Sequence, residues 1–145
     1  MLFRSLFFVT QKCLPMLRKS ARRPDAPSRV INIGSISGID FPLDDAWAYH
    51  PAKAAVHHLT SVMAKKLVKE GITVNAIAPG LFPSKMTAFL MPGGDTSAVA
   101  QAVPMGRTGQ PGDIVGTIVY LASRAGSFTT GALIKVDGGS ALGLL

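Results

Sequence analysis

Tyr49 and Lys53 stand four residues apart in the stretch AWAYHPAKAAVHHLT, residues 46–60. If the stretch is helical, the two side chains lie on one face of the helix, about one turn apart. A phenol that gives up its proton near neutral pH needs roughly 4 kcal/mol of stabilisation for its anion. One ammonium about 4 Å away contributes on that order at an effective dielectric constant of about 20. The pair could therefore be an acid–base unit or an ordinary surface pair, and the spacing alone leaves both interpretations open.

The elements that position this pair follow from hydrophobic periodicity. Apolar residues at helical spacing predict helices at 5–19, 46–69 and 111–122, with a short further helix around 83–90 in an irregular segment. Short apolar runs rich in β-branched residues predict buried strands at 29–33, 72–78 and 132–136. Gly71 is expected to end the second helix, and Pro111 to begin the last one. Alternating helices and strands of this kind predict an α/β fold with a parallel sheet and helices on its faces.

The composition bounds what the chain can be. It has 145 residues, of which 48% are hydrophobic and 16% are charged, so one globular domain over 1–145 is expected. The net charge is +7, but seven of the basic residues fall within the first 29 residues, where Asp25 is the only acid. This skew favours a solvated helix face over a nucleic-acid surface. Because no run of 18 apolar residues occurs, no membrane-spanning helix is predicted.

The cysteine and the histidines carry less information. Cys13 is the only cysteine, so an internal disulfide is impossible and a cytoplasmic location is the default. Residues 1–23 carry six bases and no acid, which is also typical of a mitochondrial transit peptide, although a helix of the fold at 5–19 is the favoured interpretation. His50, His57 and His58 have no acidic or cysteine partner at ligand spacing, so no metal site is expected.

Several longer segments carry a family resemblance. They are RVINIGSISG at 29–38, AYHPAK at 48–53, GITVNAIAPG at 71–80, GRTGQPGDIVGTIVYLAS at 106–123 and TGALIKVDGG at 130–139. In this order they resemble the C-terminal half of a short-chain dehydrogenase/reductase, closest to the 3-oxoacyl-carrier-protein reductases of the rhamnolipid type. The resemblance implies a Rossmann-like doubly wound parallel sheet, NADP or NAD as cofactor, and a ketone or acyl thioester as substrate. It also implies a homo-oligomer formed through the helices at about 5–19 and 46–69.

The resemblance also assigns roles to individual residues. It implies that Ser35, Tyr49 and Lys53 are catalytic and that Tyr49 and Lys53 also contact the cofactor. The segment that holds the nicotinamide in this family matches four further positions, which are Pro79, Gly80, Phe82 and Ser84. At the last of these the family usually has a threonine, so serine keeps the hydroxyl. Ser35 follows a predicted strand, where ligands of open α/β sheets bind, so its hydroxyl is placed to orient a substrate carbonyl.

Part of the family pattern is not found. No glycine-rich turn of the kind that receives the cofactor pyrophosphate precedes Arg29, and the family's catalytic asparagine falls at about Leu2. We therefore expect the N-terminal, glycine-rich half of the fold to be missing, and the chain alone to bind NADPH poorly. Two interpretations remain open at this point. The chain is a truncated form of an NAD(P)H-dependent ketone reductase, or it is a non-catalytic interaction module that pairs with a full-length reductase.

Overall fold

The computed structural model describes residues 2–21, 23, 25–40 and 46–142. Its α-helices and β-strands follow in the order α1 (Leu2–Ser20), β1 (Ser28–Ile33), α2 (Tyr49–Leu67), β2 (Ile72–Pro79), α3 (Ser97–Gln101), α4 (Pro111–Ala122) and β3 (Leu133–Val136). The predicted strands and the three longer predicted helices are all found, with ends that differ by at most three residues. Among the described helices, none is both long and apolar enough to cross a membrane.

The described strands form one parallel sheet in the order β1-β2-β3. Val30 of β1 lies opposite Val74 of β2 and packs with the helices α1 and α2. The neighbouring Arg29 points to the other face, where its guanidinium donates to the Leu121 carbonyl at the end of α4, 3.0 Å away. Helices therefore cover both faces, which confirms the predicted doubly wound parallel sheet.

The hydrophobic core lies between α2 and β2. Met63, Ala64 and Leu67 of α2 contact Ile72 and Val74 of β2, and all five side chains are buried. α1 closes this cluster from outside with partly buried leucines, Leu14 and Leu17. Fully burying one such side chain is worth about 1.5–3 kcal/mol. Because β2 is the middle strand with helices on both faces, its residues are buried from 72 to 78 without alternation.

Three details differ from the sequence prediction. The helix predicted at 46–69 begins at Tyr49 and ends at Leu67, and a 3-10 turn carries the chain to Gly71, whose φ of 71° ends it. The helix predicted around 83–90 is wrong, because that segment forms turns and a single 3-10 turn at Ala88–Leu90. Ser84 and Thr87 exchange side-chain and backbone hydrogen bonds there, which compete with helical ones. The five-residue helix α3 was not predicted, since it is too short to show periodicity.

Candidate active site

A short loop at the carboxyl end of β1 carries Ser35; we call residues 34–38 the serine loop. The Gly34 N–H donates to the Ile77 carbonyl at 2.7 Å, so the loop leaves the sheet next to β2. Ser35 has extended backbone angles, and its Oγ accepts from the Ser37 N–H at 3.1 Å, which starts a 3-10 turn. Ser35 is buried, with 9% of its surface exposed.

Lys53 links Tyr49 to the serine loop. Tyr49 is the first residue of α2, and the Lys53 Nζ lies 5.5 Å from the centroid of its ring. The same ammonium donates to the carbonyls of Ile33, at 3.2 Å, and Gly34, at 3.0 Å. Burial lowers the pKa of Lys53 from its ordinary value of 10.5. A half-buried cation thus bridges the phenol and the strand end that leads into Ser35.

Close packing holds the serine loop directly on α2. A Cβ added to Gly38 would lie 2.6 Å from backbone atoms of Lys53 and Ala54, so only glycine fits there. The His50 Nδ1 lies 3.0 Å from the Ser37 carbonyl, also within this loop. The loop is therefore positioned by the helix that carries Tyr49 and Lys53. That the Ser35 and Tyr49 hydroxyls converge on one substrate atom stays a prediction.

The other predicted site residues lie at the end of β2. Pro79 is its last residue, and the Gly80 N–H donates to the Val136 carbonyl at 2.9 Å. A Cβ on Gly80 would lie 2.7 Å from the Asp137 Cα, so the chain passes the end of β3 closely. Since β1, β2 and β3 are parallel, Ser35 and Gly80 both follow carboxyl ends at one edge of the sheet, where ligands bind in folds of this class.

Phe82 and Ser84 are fixed by residues that the sequence analysis did not single out. The Phe82 ring packs on Gly109, where an added Cβ would lie 2.3 Å from the ring, and the Gly109 N–H donates to the Leu81 carbonyl at 2.9 Å. Thr87 donates through Oγ1 to the Phe82 carbonyl at 2.7 Å and accepts from the Ser84 N–H at 2.9 Å. No periodic pattern signals these contacts, because they arise in irregular chain.

His57 is a further residue that the sequence analysis left without a role. Its Nε2 accepts a hydrogen bond from the Ser35 N–H at 3.4 Å. The sequence spacing could have indicated this contact. His57 follows Lys53 by four residues, as Lys53 follows Tyr49, so all three side chains lie on one face of α2. Among the residues that the structure describes, no group of three potential metal-ligating side chains occurs.

A cavity of about 340 Å³ lies along the segment after β2. Its apolar wall includes Phe82, Val103 and Met105. Its charged wall includes Arg107, whose guanidinium forms two hydrogen bonds with the Asp113 carboxylate, at 2.8 and 3.0 Å. The lining includes neither the serine loop nor the first turns of α2. The candidate catalytic residues therefore lie outside this cavity, and Phe82 is the predicted site residue that lines it.

Known proteins resemble this chain over almost its whole length. Over residues 2–141 the sequence matches the family described as enoyl-(acyl carrier protein) reductase. It is 46% identical to the rhamnolipids biosynthesis 3-oxoacyl-(acyl-carrier-protein) reductase of Pseudomonas aeruginosa over 138 residues, which are 93% of this chain and 53% of that protein. A 3-oxoacyl-(acyl-carrier-protein) reductase of Synechocystis is 40% identical over 112 residues, or 77% of this chain and 43% of that protein.

A solved structure gives the same relationship. The Pseudomonas aeruginosa RhlG/NADP active-site complex superposes with a TM-score of 0.87 at 45% identity, over 95% of this chain and 56% of that one. The chain thus spans about half the length of the relatives it matches.

Proposed function

Because the chain belongs to the short-chain dehydrogenase/reductase family, we propose that it serves the NAD(P)H-dependent reduction of a ketone, with 3-oxoacyl thioesters as the substrate class. The contact that carries this proposal is the Lys53 ammonium, held between the Tyr49 ring and the carbonyls that lead into Ser35. The two relatives named as 3-oxoacyl reductases support the substrate class.

Each of the three side chains has a distinct task in the proposed reaction. When bound, the nicotinamide supplies the hydride. The Tyr49 hydroxyl donates its proton to the carbonyl oxygen, and the Lys53 charge stabilises the phenolate that remains. The Ser35 hydroxyl donates a hydrogen bond to the same oxygen and orients the carbonyl. Two carbonyl acceptors hold Lys53 in place, so its charge needs no rearrangement during the transfer.

The residues at this edge of the sheet fit one end of a nicotinamide cofactor. Lys53 and Tyr49 offer polar donors to ribose hydroxyls. Gly80 lets the backbone approach closely, because a side chain there would meet Asp137. Pro79, the Phe82 backbone and the Ser84 hydroxyl would hold the carboxamide. The solved complex of the Pseudomonas aeruginosa relative with NADP supports NADP as the cofactor.

We also propose a homo-oligomer through α1 and α2. These helices pack against each other, yet α1 keeps large apolar side chains in solvent, with Val9 62% and Met16 65% exposed. Phe7 and Phe8 add aromatic surface on the same helix. Burying such a patch between two copies stabilises association.

Analytical ultracentrifugation tests this interface. The oligomer should dissociate in Val9→Lys but persist in Val119→Lys, a substitution on α4. Equal behaviour of the two variants contradicts the proposed interface.

The reductase proposal is tested on a fusion that spans the full length of the Pseudomonas aeruginosa relative. The segment of the Pseudomonas aeruginosa relative that precedes the matched region is fused ahead of this chain, and NADPH consumption is followed with a 3-oxoacyl thioester. Tyr49→Phe should lower kcat by about 10²–10⁴-fold, the usual contribution of a positioned acid. Tyr120→Phe, whose hydroxyl contacts Thr129 at 2.9 Å, is the matched control and should retain activity.

Several outcomes would contradict the proposal. Reduction of a 2-enoyl thioester in preference to the 3-oxoacyl thioester would overturn the substrate class. Equal losses in the two tyrosine variants would remove Tyr49 from the chemistry. A folded fusion that binds NADPH but reduces neither thioester would favour the non-catalytic interaction module instead.

A further inference from the structure

The half-buried imidazole of His57 packs against the serine loop. A Cβ added to Gly34 would lie 2.2 Å from its Nε2, and one added to Gly38 would lie 2.7 Å from its Cε1. The two glycines that bracket Ser35 thus both lie against this one ring. Real Cβ atoms essentially never come so close to another atom. The loop can therefore follow this path beside the His57 ring only because both bracketing residues lack side chains.

The hydrogen bonds of the ring require its neutral form. Nε2 accepts from the Ser35 N–H at 3.4 Å, so this nitrogen carries no proton. Burial lowers the pKa of His57 below its ordinary value of 6.5, a hydrogen bond with the Gly38 backbone opposes this, and the Lys53 charge adds to it. The neutral imidazole therefore accepts a hydrogen bond from the Ser35 N–H and donates one to the Gly38 backbone, so it joins both ends of the serine loop.

We propose that neutral His57 is a positioning residue that fixes Ser35 for carbonyl binding, and that protonation of its imidazole releases the serine loop. This rests on the proposed function for the role of Ser35, but the coupling between ring and loop does not. A protonated ring would turn Nε2 into a donor that faces the Ser35 N–H donor, so the hydrogen bond could not form. The ring then either leaves its place between the glycines or pushes the loop away.

Among the described residues, few other charges affect the protonation of the His57 imidazole. On α2, Lys53 is the charged group that acts on it, and His50 contacts the loop at the Ser37 carbonyl. The serine loop contains no titratable side chain, and neither does β2, whose Ile77 carbonyl approaches Gly34. His58 is exposed. A titration of the Ser35 amide can be assigned to His57 if its measured midpoint coincides with that of the His57 imidazole.

The first experiment is a pH titration of the isotope-labelled chain by NMR. The amides of Ser35 and Gly38 should change with the same midpoint as the His57 imidazole, and that midpoint should lie below the ordinary histidine value of 6.5. A Ser35 amide that stays constant while His57 titrates overturns the proposal. So does a His57 midpoint at or above 6.5, because a ring held in its neutral form by burial and by the Ser35 N–H must titrate below that value. This measurement needs neither substrate nor cofactor.

The second experiment compares variants by hydrogen-exchange mass spectrometry. His57→Leu removes the acceptor at similar volume and should speed exchange in the peptide covering 34–38 by about tenfold, the size of one net hydrogen bond. His57→Gln offers a neutral acceptor and should restore protection without its pH dependence. His58→Leu is the matched control and should leave the peptide unchanged. If His57→Leu fails to fold, the titration of the wild-type chain still decides the question.

A third measurement separates this inference from the proposed reaction. In the fused reductase described above, His57→Leu should lower kcat for the 3-oxoacyl thioester while leaving the KM for NADPH within about twofold, because the ring acts on Ser35. His57→Gln should recover kcat. An inactive fusion would count against the proposed function alone, whereas a coupled Ser35 amide with unchanged kcat would overturn the positioning role alone.

Discussion

The serine loop and the segment from residue 80 to 110, which we call the linker, both leave the sheet at its carboxyl edge, yet they are held in different ways. In the serine loop, side chains of one helix reach backbone atoms: Lys53 donates to Gly34, and His57 accepts from Ser35. The linker is anchored near its two ends, by the Phe82 ring against Gly109, and exposes large side chains between, with Phe89 77% exposed.

The difference teaches how each region responds to change. The serine loop lies against the backbone of α2, which cannot move without breaking the core between α2 and β2. The Gly80 and Met105 N–H groups donate to the carbonyls of Val136 and Gly138, but the Phe82 anchor is a side chain that can rotate. We therefore expect small substitutions to be costly in the first region and tolerated in the second.

The largest effect is expected for Gly38→Ala. The added methyl would lie 2.6 Å from backbone atoms of Lys53 and Ala54, so the loop must leave the helix. Overpacking of this kind costs about 3 kcal/mol at the upper end of its usual range, measured by urea unfolding. Gly116→Ala, inside α4 with open space around it, is the control and should be stabilising by roughly 0.5–1 kcal/mol. Similar values for both would mean that the loop is not rigidly placed.

Thr60→Val tests the support beneath the serine loop. The Thr60 Oγ1 accepts from the Asn32 side-chain amide at 2.9 Å, and both residues are buried, at 1% and 2% exposure. Removing the acceptor leaves a buried donor unpaired, so we expect a loss of about 2 kcal/mol. Thr117→Val on α4, where the hydroxyl only donates back to the Asp113 carbonyl, should change stability by less than about 0.5 kcal/mol. A neutral Thr60→Val would show that Asn32 finds another partner.

The same contrast explains what could be predicted from the sequence. That Tyr49 and Lys53 share one face of α2 could be predicted from their four-residue spacing, because a helix fixes where residues four apart point. The strands could be predicted because each is a short, largely apolar run rich in β-branched residues. The structure of the linker could not be predicted. The helix expected around 83–90 is absent, because Thr87 forms hydrogen bonds with Phe82 and Ser84 that replace helical backbone hydrogen bonds. Such contacts depend on the tertiary structure around them, and no local sequence pattern encodes them.

Gly109→Ala probes the anchor of the linker. The added methyl would lie 2.3–2.5 Å from three atoms of the Phe82 ring, so the ring must turn away. Because a side chain yields more easily than a backbone, we expect a loss of only about 1 kcal/mol. The variant Phe82→Ala should abolish most of that loss in a double-mutant cycle, since it removes the clashing group. A cost that persists without the ring would place the strain in the backbone instead.

The smallest effect is expected at the pair that begins α4. The Arg107 guanidinium and the Gln110 backbone N–H bond to the Asp113 carboxylate and hold its pKa at about 2, against an ordinary 3.8. A carboxyl with a lowered pKa stabilises the fold above its unfolded value and loses that contribution as pH falls through the folded one. The difference in Tm between the wild type and Asp113→Asn should therefore be greatest above pH 4 and should close near pH 2.

Arg107→Gln should show the same trend, and the double variant should add little, because both residues act through one solvent-accessible pair. A Tm difference that persists unchanged at pH 2 would mean that Asp113 contributes through packing rather than charge.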